Sequence, residues 1–383
     1  MLVLYWGKDI IFSYVRAIIL RIPYIKYTAD YILPSLMLIC FALAFKYFAR
    51  NISWKDIVFA GSVAIIYLIN ILIYPENEEL GVIIGSFFTS VFPLYFIGLK
   101  LDISKHFHTL YLMSLFNICA FAFYYLVFSR GSFESSSIAN ESFMGRAYVL
   151  LPQVLIVFIG ILKKRSIYNI ILGVMGFMLL LMCGNRGSVL LLLVFLVSYF
   201  LFNTKKKRRA LAYIGTFSVV GFITYYYETL LTIATLTFSK LGFSTRIFER
   251  LSDGTFLESN GRNLIIEKLA TAIWDNPILG YGLCSDRTIT GSYAHNYAFE
   301  LWTAFGIIMG SAIIIATIAT IISAWTKSTD KNCRSFLLVL ICSGFLKLFL
   351  SSSFLYEGLF FLLLGYCVNQ IRFNKASTIV CGE

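Results

Sequence analysis

Residues 297–325 read YAFELWTAFGIIMGSAIIIATIATIISAW, an apolar run whose one charged side chain is Glu300. About 20 apolar residues in a helix cross the roughly 30 Å of hydrocarbon in a bilayer, so this run predicts a membrane-spanning helix. The whole chain agrees, because 59% of its 383 residues are hydrophobic, 14% are charged and its mean hydropathy is +0.80. A soluble domain of this length needs far more polar surface. We therefore predict an integral membrane protein.

Further apolar runs predict an all-α, polytopic membrane protein that crosses the bilayer about eleven or twelve times. Besides 297–325, the predicted spans are 29–48, 57–74, 80–99, 107–128, 146–162, 167–183, 188–203, 210–227, 335–352 and 354–371. Their connectors are short except for residues 228–296. That segment is predicted to be one large loop containing short amphipathic helices.

The N-terminal segment leaves the number of crossings open. Residues 1–28 are apolar but are interrupted by Lys8, Asp9, Arg16 and Arg21. We favour a twelfth crossing near residues 2–22, and the alternative is an amphipathic helix on the membrane surface. We expect no cleavable signal peptide, because no small-residue cleavage site follows an early apolar stretch.

The formal charge of +12 is explained by topology better than by a nucleic-acid partner. Cations concentrate in alternate connectors, at Arg50, Lys55, Lys100, Lys105, Lys163, Lys164, Arg165, 205–209, Lys327, Lys331 and Arg334. The intervening connectors have few cations and comprise 75–79, 129–145, 184–187 and 351–353. Cytoplasmic loops retain Lys and Arg, so the first set is predicted to be cytoplasmic and the loop 228–296 to face the outside. We expect membrane lipid around the protein and no nucleic acid.

The cysteines do not suggest a disulfide framework. Of the 8 cysteines, Cys284 stands alone in the long loop.

A first candidate for chemistry is residues 183–188, CGNRGS, at the break between two apolar spans. Polar groups at a membrane are costly, and those that persist are often functional. The glycines let the chain reverse and bring Arg186 to the outer surface, where its guanidinium fork can hold phosphate oxygens in pairs. The alternative is an interfacial arginine that reaches lipid phosphates.

A second candidate is Arg262 in residues 260–263, NGRN. An amphipathic stretch follows, with apolar residues near helical spacing at Leu264, Ile265, Leu269 and Ile273. Pro277 ends it, which predicts a helix along the outer face of the bilayer. Arg262 then adds a cation to helix N-terminal amides that already suit anions. The alternative is a solvated arginine at a helix start.

A third candidate is His295, immediately before the span 297–325. The chain has 3 histidines, and His106 and His108 lie on the predicted cytoplasmic side. If a reaction on the predicted outer side of the membrane needs a histidine base, that base must therefore be His295. The alternative is a histidine beside a helix N-cap formed by Asn296.

Several neighbours are weaker candidates. Tyr293, Arg287 and Asn296 share the segment of His295 and are possible contacts for a sugar, as is Asp286, with a structural role as the alternative. Lys347 and Glu357 flank the turn at 351–353, and we expect them to pair with each other.

The order of these features resembles the O-antigen ligase and O-antigen polymerase family of bacterial surface-polysaccharide enzymes. The matching residues lie within 165–310 and are Asn185-Arg186-Gly187, Gly261-Arg262, Trp274, Asn276-Pro277, Gly280-Tyr281-Gly282, His295-Asn296 and Phe305-Gly306. No single motif is specific, but their order and sidedness together are. A departure is Gly184-Asn185, where many members have a small residue and Ser.

The resemblance divides the chain into three parts. Residues 1–164 form N-terminal transmembrane helices, and 165–325 form the family core with the outer loop 228–296. Residues 326–383 form C-terminal transmembrane helices and a cytoplasmic tail.

The resemblance implies a metal-independent, inverting glycosyltransferase without a cofactor, in the bacterial inner (cytoplasmic) membrane with a periplasmic active site. Its donor would be an oligosaccharide on undecaprenyl pyrophosphate, since nucleotide sugars are not available outside the cytoplasm. Arg186 and Arg262 would bind the donor pyrophosphate and meet the charge that develops on it. His295 would be the catalytic base for the acceptor hydroxyl. No Asp-x-Asp pair lies in the loop 228–296, in agreement with no metal.

Two activities within the family use this donor chemistry. A polymerase moves the growing chain onto the next lipid-linked repeat unit, and a ligase moves the finished chain onto lipid A–core. We favour the polymerase as the more numerous and diverse branch, with a chain-length regulator as a candidate partner. A transporter or flippase without catalysis is the alternative of another class, although the two halves show no convincing repeat.

Overall fold

The computed structural model describes residues 53–128, 137–164, 166–183, 185–203, 227–240, 262–328 and 330–380, with the single positions 6, 39, 42, 245 and 252. Every regular element in these residues is helical. The predicted spans 29–48 and 210–227, and the proposed crossing near 2–22, lie outside this part of the chain apart from single positions. The number of crossings therefore stays a prediction.

The described helices are numbered in chain order. In chain order they are α1 (Trp54–Ile73), α2 (Glu79–Ser86), α3 (Pro93–Lys100), α4 (Ile103–Phe128), α5 (Ser137–Lys163), α6 (Ile167–Met182), α7 (Arg186–Asn203), α8 (Tyr227–Lys240), α9 (Arg262–Asp275), α10 (Ser285–Thr290), α11 (Tyr297–Lys327), α12 (Lys331–Leu340), α13 (Lys347–Ser351) and α14 (Gly358–Val380). Two π-helical segments, π1 (Phe87–Val91) and π2 (Ile341–Leu346), join α2 to α3 and α12 to α13.

Six segments of the described chain are long and apolar enough to cross a membrane. They are Trp54–Ile73, Glu79–Lys100, Ile103–Phe123, Gly145–Lys163, Tyr297–Lys327 and Lys331–Ser351. Three shorter apolar helices are Ile167–Met182, Arg186–Phe202 and Gly358–Arg372. Each of these segments matches a predicted span, which confirms an all-α, polytopic membrane protein.

The chain forms two compact units. The first contains Met1–Tyr5, Val15–Asp102 and Ser259–Glu383, and the second contains Trp6–Tyr14 and Ile103–Glu258. Arg262 and His295 therefore belong to the first unit, whereas Arg186 belongs to the second.

Glycines bring the helices of the first unit into close contact. A Cβ atom on Gly98 of α3 would lie 2.5 Å from the carbonyl oxygen of Leu362 in α14. A Cβ atom on Gly365 of α14 would overlap the carbonyl oxygen of Tyr95 in α3. Small residues at such crossings allow the close van der Waals packing that associates helices in a membrane.

The connectors of the first unit gather at the two ends of its helices. At one end Arg372 pairs with Asp56, with Nη2 3.0 Å from Oδ1, and the connectors there belong to the basic set. At the other end the Asn77 amide donates to the carbonyl oxygen of Tyr281 over 2.9 Å. The two sets of connectors are thus separated in space, as the charge pattern predicts. The side that faces outward stays a prediction.

The second unit is built around α5, which packs against α4, α6 and α7. Its side chains at Leu150, Leu151, Val154 and Leu155 are fully buried. This packing places the start of α7, with Arg186 and Gly187, beside the Tyr148 side chain of α5.

Candidate functional site

Arg262 is the first residue of α9, as the amphipathic pattern predicts. Of the four predicted apolar positions, Leu269 and Ile273 are buried, Ile265 is half-buried and Leu264 is exposed. The guanidinium is half-buried, and its Nη1 donates to the carbonyl oxygen of Leu350 over 2.5 Å. Its Nη2 donates to the Ser351 hydroxyl over 3.4 Å. Arg262 is therefore fixed against the end of α13.

The segment after α9 docks on a break in α11. Gly306 has φ 75° and ψ 168°, which interrupts the helix within its third turn. The carbonyl oxygens of Thr303 and Ala304 accept hydrogen bonds from the N–H groups of Tyr281, at 2.8 Å, and Gly282, at 2.9 Å. Backbone groups freed by a helix break must find partners in a membrane protein, and here the loop supplies them.

Glycine is required on both sides of this junction. Gly280 has φ 68°, and a Cβ atom there would lie 2.6 Å from the Gly306 nitrogen and 2.7 Å from the Thr303 carbonyl oxygen. A Cβ atom on Gly306 would lie 2.8 Å from the carbonyl oxygen of Pro277. The Asn276 amide closes the turn by donating to the carbonyl oxygen of Gly280 over 2.7 Å. The Asn-Pro, Gly-Tyr-Gly and Phe-Gly motifs are thus parts of one contact.

His295 lies in a strained conformation between α10 and α11. Its φ of 54° is in the left-handed region, which few residues other than glycine adopt. The imidazole packs on Tyr293, with ring centroids 3.8 Å apart. Its Nδ1 is buried and has no hydrogen-bond partner among the described residues. Asn296 caps α11 by accepting from the Ala298 N–H over 3.0 Å, which confirms the predicted cap.

The environment keeps His295 uncharged. Burial, together with the nearby positive charge of Arg262, lowers the pKa of His295 from 6.5 to about 4. The imidazole is then neutral at pH 7 and able to accept a proton or hydrogen bond. The structure thus brings Arg262 and His295 within electrostatic reach of each other in the first unit.

Arg287 is the buried centre of an ionic cluster. Its Nη1 lies 2.8 Å from Asp286 Oδ1 and 3.9 Å from Glu300 Oε1. Its Nε lies 3.2 Å from Glu79 Oε2, and its Nη2 donates to the Ser353 hydroxyl over 3.1 Å. Four separate parts of the first unit meet at this guanidinium. The predicted contact of Arg287 with a sugar stays a prediction.

Two tyrosines flank this cluster. The Cζ atom of Arg287 lies 6.0 Å from the ring centroid of Tyr293 and 5.6 Å from that of Tyr356. Sequence reasoning did not include Glu79, Ser353, Glu300 or Tyr356 among the candidates. The sequence does contain a signal for Glu300. It is the single charged residue in its apolar run, and charged residues inside membrane-spanning runs are often functional.

Lys347 and Glu357 form the predicted ion pair. Glu357 Oε2 also accepts from the Ser352 hydroxyl over 3.1 Å. The pair therefore closes the turn whose Ser351 hydroxyl contacts Arg262.

Arg186 is the first residue of α7 in the second unit and is half-buried. The Asn185 side chain caps this helix by accepting from the Ser188 N–H over 3.1 Å. Asn and Ser are both favoured at an N-cap, so the departure at Asn185 preserves the local structure. A Cβ atom on Gly187 would overlap the Tyr148 hydroxyl, so glycine is needed beside Arg186.

Within the part of the chain that the structure describes, no group of three or more His, Cys, Asp or Glu side chains is placed to hold a metal ion.

A family model matches the part of the chain that contains these residues. Residues 170–315 match the family model described as O-antigen ligase. The matched segment contains Arg186, Arg262, His295 and the junction at Gly306. No curated protein and no solved structure matches the chain. Over residues 170–315, the chain is therefore similar to the O-antigen ligase family.

Proposed function

We propose that the protein is an O-antigen polymerase that transfers an oligosaccharide from undecaprenyl pyrophosphate onto a lipid-linked repeat unit. The observation that carries the proposal is the electrostatic proximity of Arg262 to a half-buried, neutral His295 inside the matched segment 170–315. A cation for a leaving phosphate and a base for a hydroxyl are the two groups that such a transfer needs.

The first task is to stabilise the leaving group. The bond between the anomeric carbon of the donor sugar and a pyrophosphate oxygen breaks, and its electron pair stays on the pyrophosphate. Arg262 meets this charge in the first unit, and the sequence resemblance assigns a second guanidinium, that of Arg186, to the same charge. Two arginine forks supply the charge neutralisation that a divalent cation supplies in other enzymes, so we propose a metal-independent reaction.

The second task is to accept the proton of the attacking hydroxyl. As its oxygen bonds to the anomeric carbon on the face opposite the pyrophosphate, the configuration inverts and the proton passes to His295. With a pKa of about 4, free His295 is a weak base. The negative charge of a bound pyrophosphate offsets the field of Arg262, which raises the basicity of His295 when the donor is present.

An O-antigen ligase is the second candidate, because the matched family description names a ligase. A ligase breaks the same sugar–pyrophosphate bond, so the roles of both arginines and His295 carry over unchanged. The two activities differ in the acceptor, which is lipid A–core for a ligase.

Complementation of a strain that lacks this gene separates these functions. Surface polysaccharide and undecaprenyl-linked intermediates are compared for the wild type and for Arg186→Ala, Arg262→Ala and His295→Ala at matched levels in the inner membrane. A polymerase restores a ladder to a strain that makes only single-repeat-capped lipid A–core. A ligase instead restores chains to lipid A–core in a strain that accumulates them on undecaprenyl pyrophosphate. Wild-type behaviour of all three variants would contradict the catalytic assignment and favour a transporter.

A further inference from the structure

The segment between α10 and His295 is tied back to Asp286. Asp286 Oδ2 accepts the N–H of Ala294, the residue before His295, over 2.8 Å. The Thr290 hydroxyl donates to the Asp286 carbonyl oxygen over 2.8 Å. These bonds close residues 286–294 into a small ring of chain whose end is the peptide that leads into His295.

The other oxygen of the same carboxylate is held by Arg287. Asp286 Oδ1 lies 2.8 Å from Arg287 Nη1, so the two carboxylate oxygens divide between a backbone N–H and a guanidinium. Asp286 is 2% exposed and Arg287 6% exposed. A buried carboxylate is tolerated only when it is paired and hydrogen-bonded, so Asp286 depends on Arg287 to remain in this place.

Arg287 extends the connection to the far side of His295. Its guanidinium lies near Glu300, in the first turn of α11, and bonds to Ser353. Ser353 also donates to Glu300. The chain is therefore held at Ala294 before His295 and at Glu300 after it by one pair of residues.

We infer that Asp286 and Arg287 are positioning residues that hold the backbone on both sides of His295 and keep its imidazole packed against Tyr293, with its Nδ1 atom buried. The left-handed φ of His295 needs such support, because strained backbone persists only where the surroundings fix it. Arg287 then acts on His295 through the backbone. The importance of this role for catalysis rests on the proposed function, but the placement of His295 is measurable without it.

The test is the NMR signal of His295 in the purified full-length protein with ¹³C-labelled histidine in lipid nanodiscs. The chain has 3 histidines, so the loss of one signal in His295→Gln assigns it. In Asp286→Ala we expect the imidazole to become solvated and its titration midpoint to move from about 4 toward the ordinary 6.5. Among the described residues, the charged group that acts on it from a neighbouring element is Arg262 on α9, while Asp286 and Arg287 on α10 are linked to it through Ala294.

Asp286→Asn and Asp56→Asn make the test specific. In Asp286→Asn the new amide oxygen can still accept the Ala294 N–H but lacks the charge that Arg287 pairs with, so we expect a smaller shift than in Asp286→Ala. Asp56 is also a buried carboxylate, 3% exposed, that pairs with Arg372 and accepts the Ser53 N–H at the other end of the first unit. Asp56→Asn should leave the His295 signal unmoved.

A His295 signal in both Asp286 variants identical to that in Asp56→Asn would overturn the inference. If Asp286→Ala does not accumulate in the membrane, the comparison of Asp286→Asn with Asp56→Asn decides it in the same way.

The polysaccharide ladder of the same variants separates this inference from the proposed function. Suppose that Asp286→Ala moves the His295 signal while His295→Gln still makes a full ladder. The positioning role of Asp286 and Arg287 is then supported, and the proposed catalytic role of His295 is contradicted. Suppose instead that His295→Gln abolishes the ladder while Asp286→Ala changes neither the His295 signal nor the ladder. The positioning role of Asp286 and Arg287 is then contradicted, and the proposed function is supported.

Discussion

The guanidinium of Arg262 donates to the carbonyl oxygen of Leu350 over 2.5 Å, which joins the first residue of α9 to the last turn of α13. A helix C-terminus has unpaired carbonyl groups and partial negative charge, so a cation is a favourable partner. Of the five N–H groups of the guanidinium, this contact and the Ser351 contact use two among the described residues. Arg262 is thus held in position and retains donors for phosphate oxygens.

Replacing Arg262 should affect both catalysis and His295. We expect Arg262→Gln to slow transfer about 100-fold or more, the typical effect of losing one donor to a developing negative charge. The pKa of His295 should rise above about 4, because a protonated imidazole is no longer repelled by a neighbouring cation. Initial rates of polymer formation and the titration of labelled His295 check these two effects.

Arg334 provides a matched control for Arg262. Its Nε donates to the carbonyl oxygen of Ser328 over 2.6 Å, just beyond the end of α11. Arg334→Gln should therefore remove a similar contact without altering transfer or His295. Equal losses in the two variants would mean that Arg262 has only a structural role.

The acid limit of activity should reflect the low pKa of His295. A base with a pKa of about 4 stays neutral as the pH falls through 6.5, so kcat/KM should fall only as the pH approaches about 4. Rates measured between pH 4 and 8 with a saturating acceptor check this. An acid limb centred near 6.5 would show that the free histidine is not buried as described.

The lowered pKa of His295 also makes the stability of the fold depend on pH. Between about 6.5 and about 4 the unfolded chain binds a proton at His295 that the folded chain does not, so the free energy of unfolding falls as the pH is lowered through this window. His295→Gln should weaken that dependence. Thermal unfolding of both proteins at several pH values measures it, and identical slopes would contradict the assignment.

The junction between the loop and α11 should tolerate no side chain at Gly280. Gly280→Ala places a Cβ atom 2.6 Å from the Gly306 nitrogen and also strains a φ of 68°. Gly291 is a control with a φ of 76° and no atom within 4 Å of the added Cβ. We expect Gly280→Ala to lower the unfolding temperature and to abolish polymer, whereas Gly291→Ala carries only the backbone strain. Similar losses in the two variants would rule out the close contact as the cause.

The start of α7 offers a rescue experiment. Gly187→Ala would drive a methyl group into the Tyr148 hydroxyl, which displaces either α5 or Arg186. Tyr148→Phe removes that hydroxyl and leaves the ring carbon 3.1 Å away as the remaining contact. We therefore expect Gly187→Ala to reduce polymer and the double variant to recover part of it. No recovery in the double variant would place the defect elsewhere.

Hydropathy and charge were sufficient to predict the apolar helices of the described residues and the separation of the two sets of connectors in the first unit. A bilayer imposes both, because each span needs a minimum apolar length and Lys and Arg remain on one side. The helix at 262–275 and the cap at Asn296 were also predictable, since apolar spacing and capping side chains are local signals.

The partners within the site were not predictable in the same way. Arg262 meets Leu350 and Arg287 meets Ser353 through contacts between residues 88 and 66 positions apart, which no local pattern records. The break at Gly306 was not predictable from hydropathy either. Hydropathy reflects the side chains, whereas this break depends on the backbone φ and ψ of Gly306. The Phe-Gly motif marked the position without revealing its role as a docking point.

The most direct test of the central claim follows the leaving group. Purified protein is incubated with undecaprenyl-pyrophosphate-linked repeat units, with and without EDTA, and released undecaprenyl pyrophosphate is quantified by mass spectrometry. We predict one undecaprenyl pyrophosphate released for each new glycosidic bond, no loss of rate with EDTA, and rates reduced about 100-fold or more in Arg186→Ala, Arg262→Ala and His295→Ala. Donor recovered intact with the wild-type protein, or release at the wild-type rate by all three variants, would contradict it.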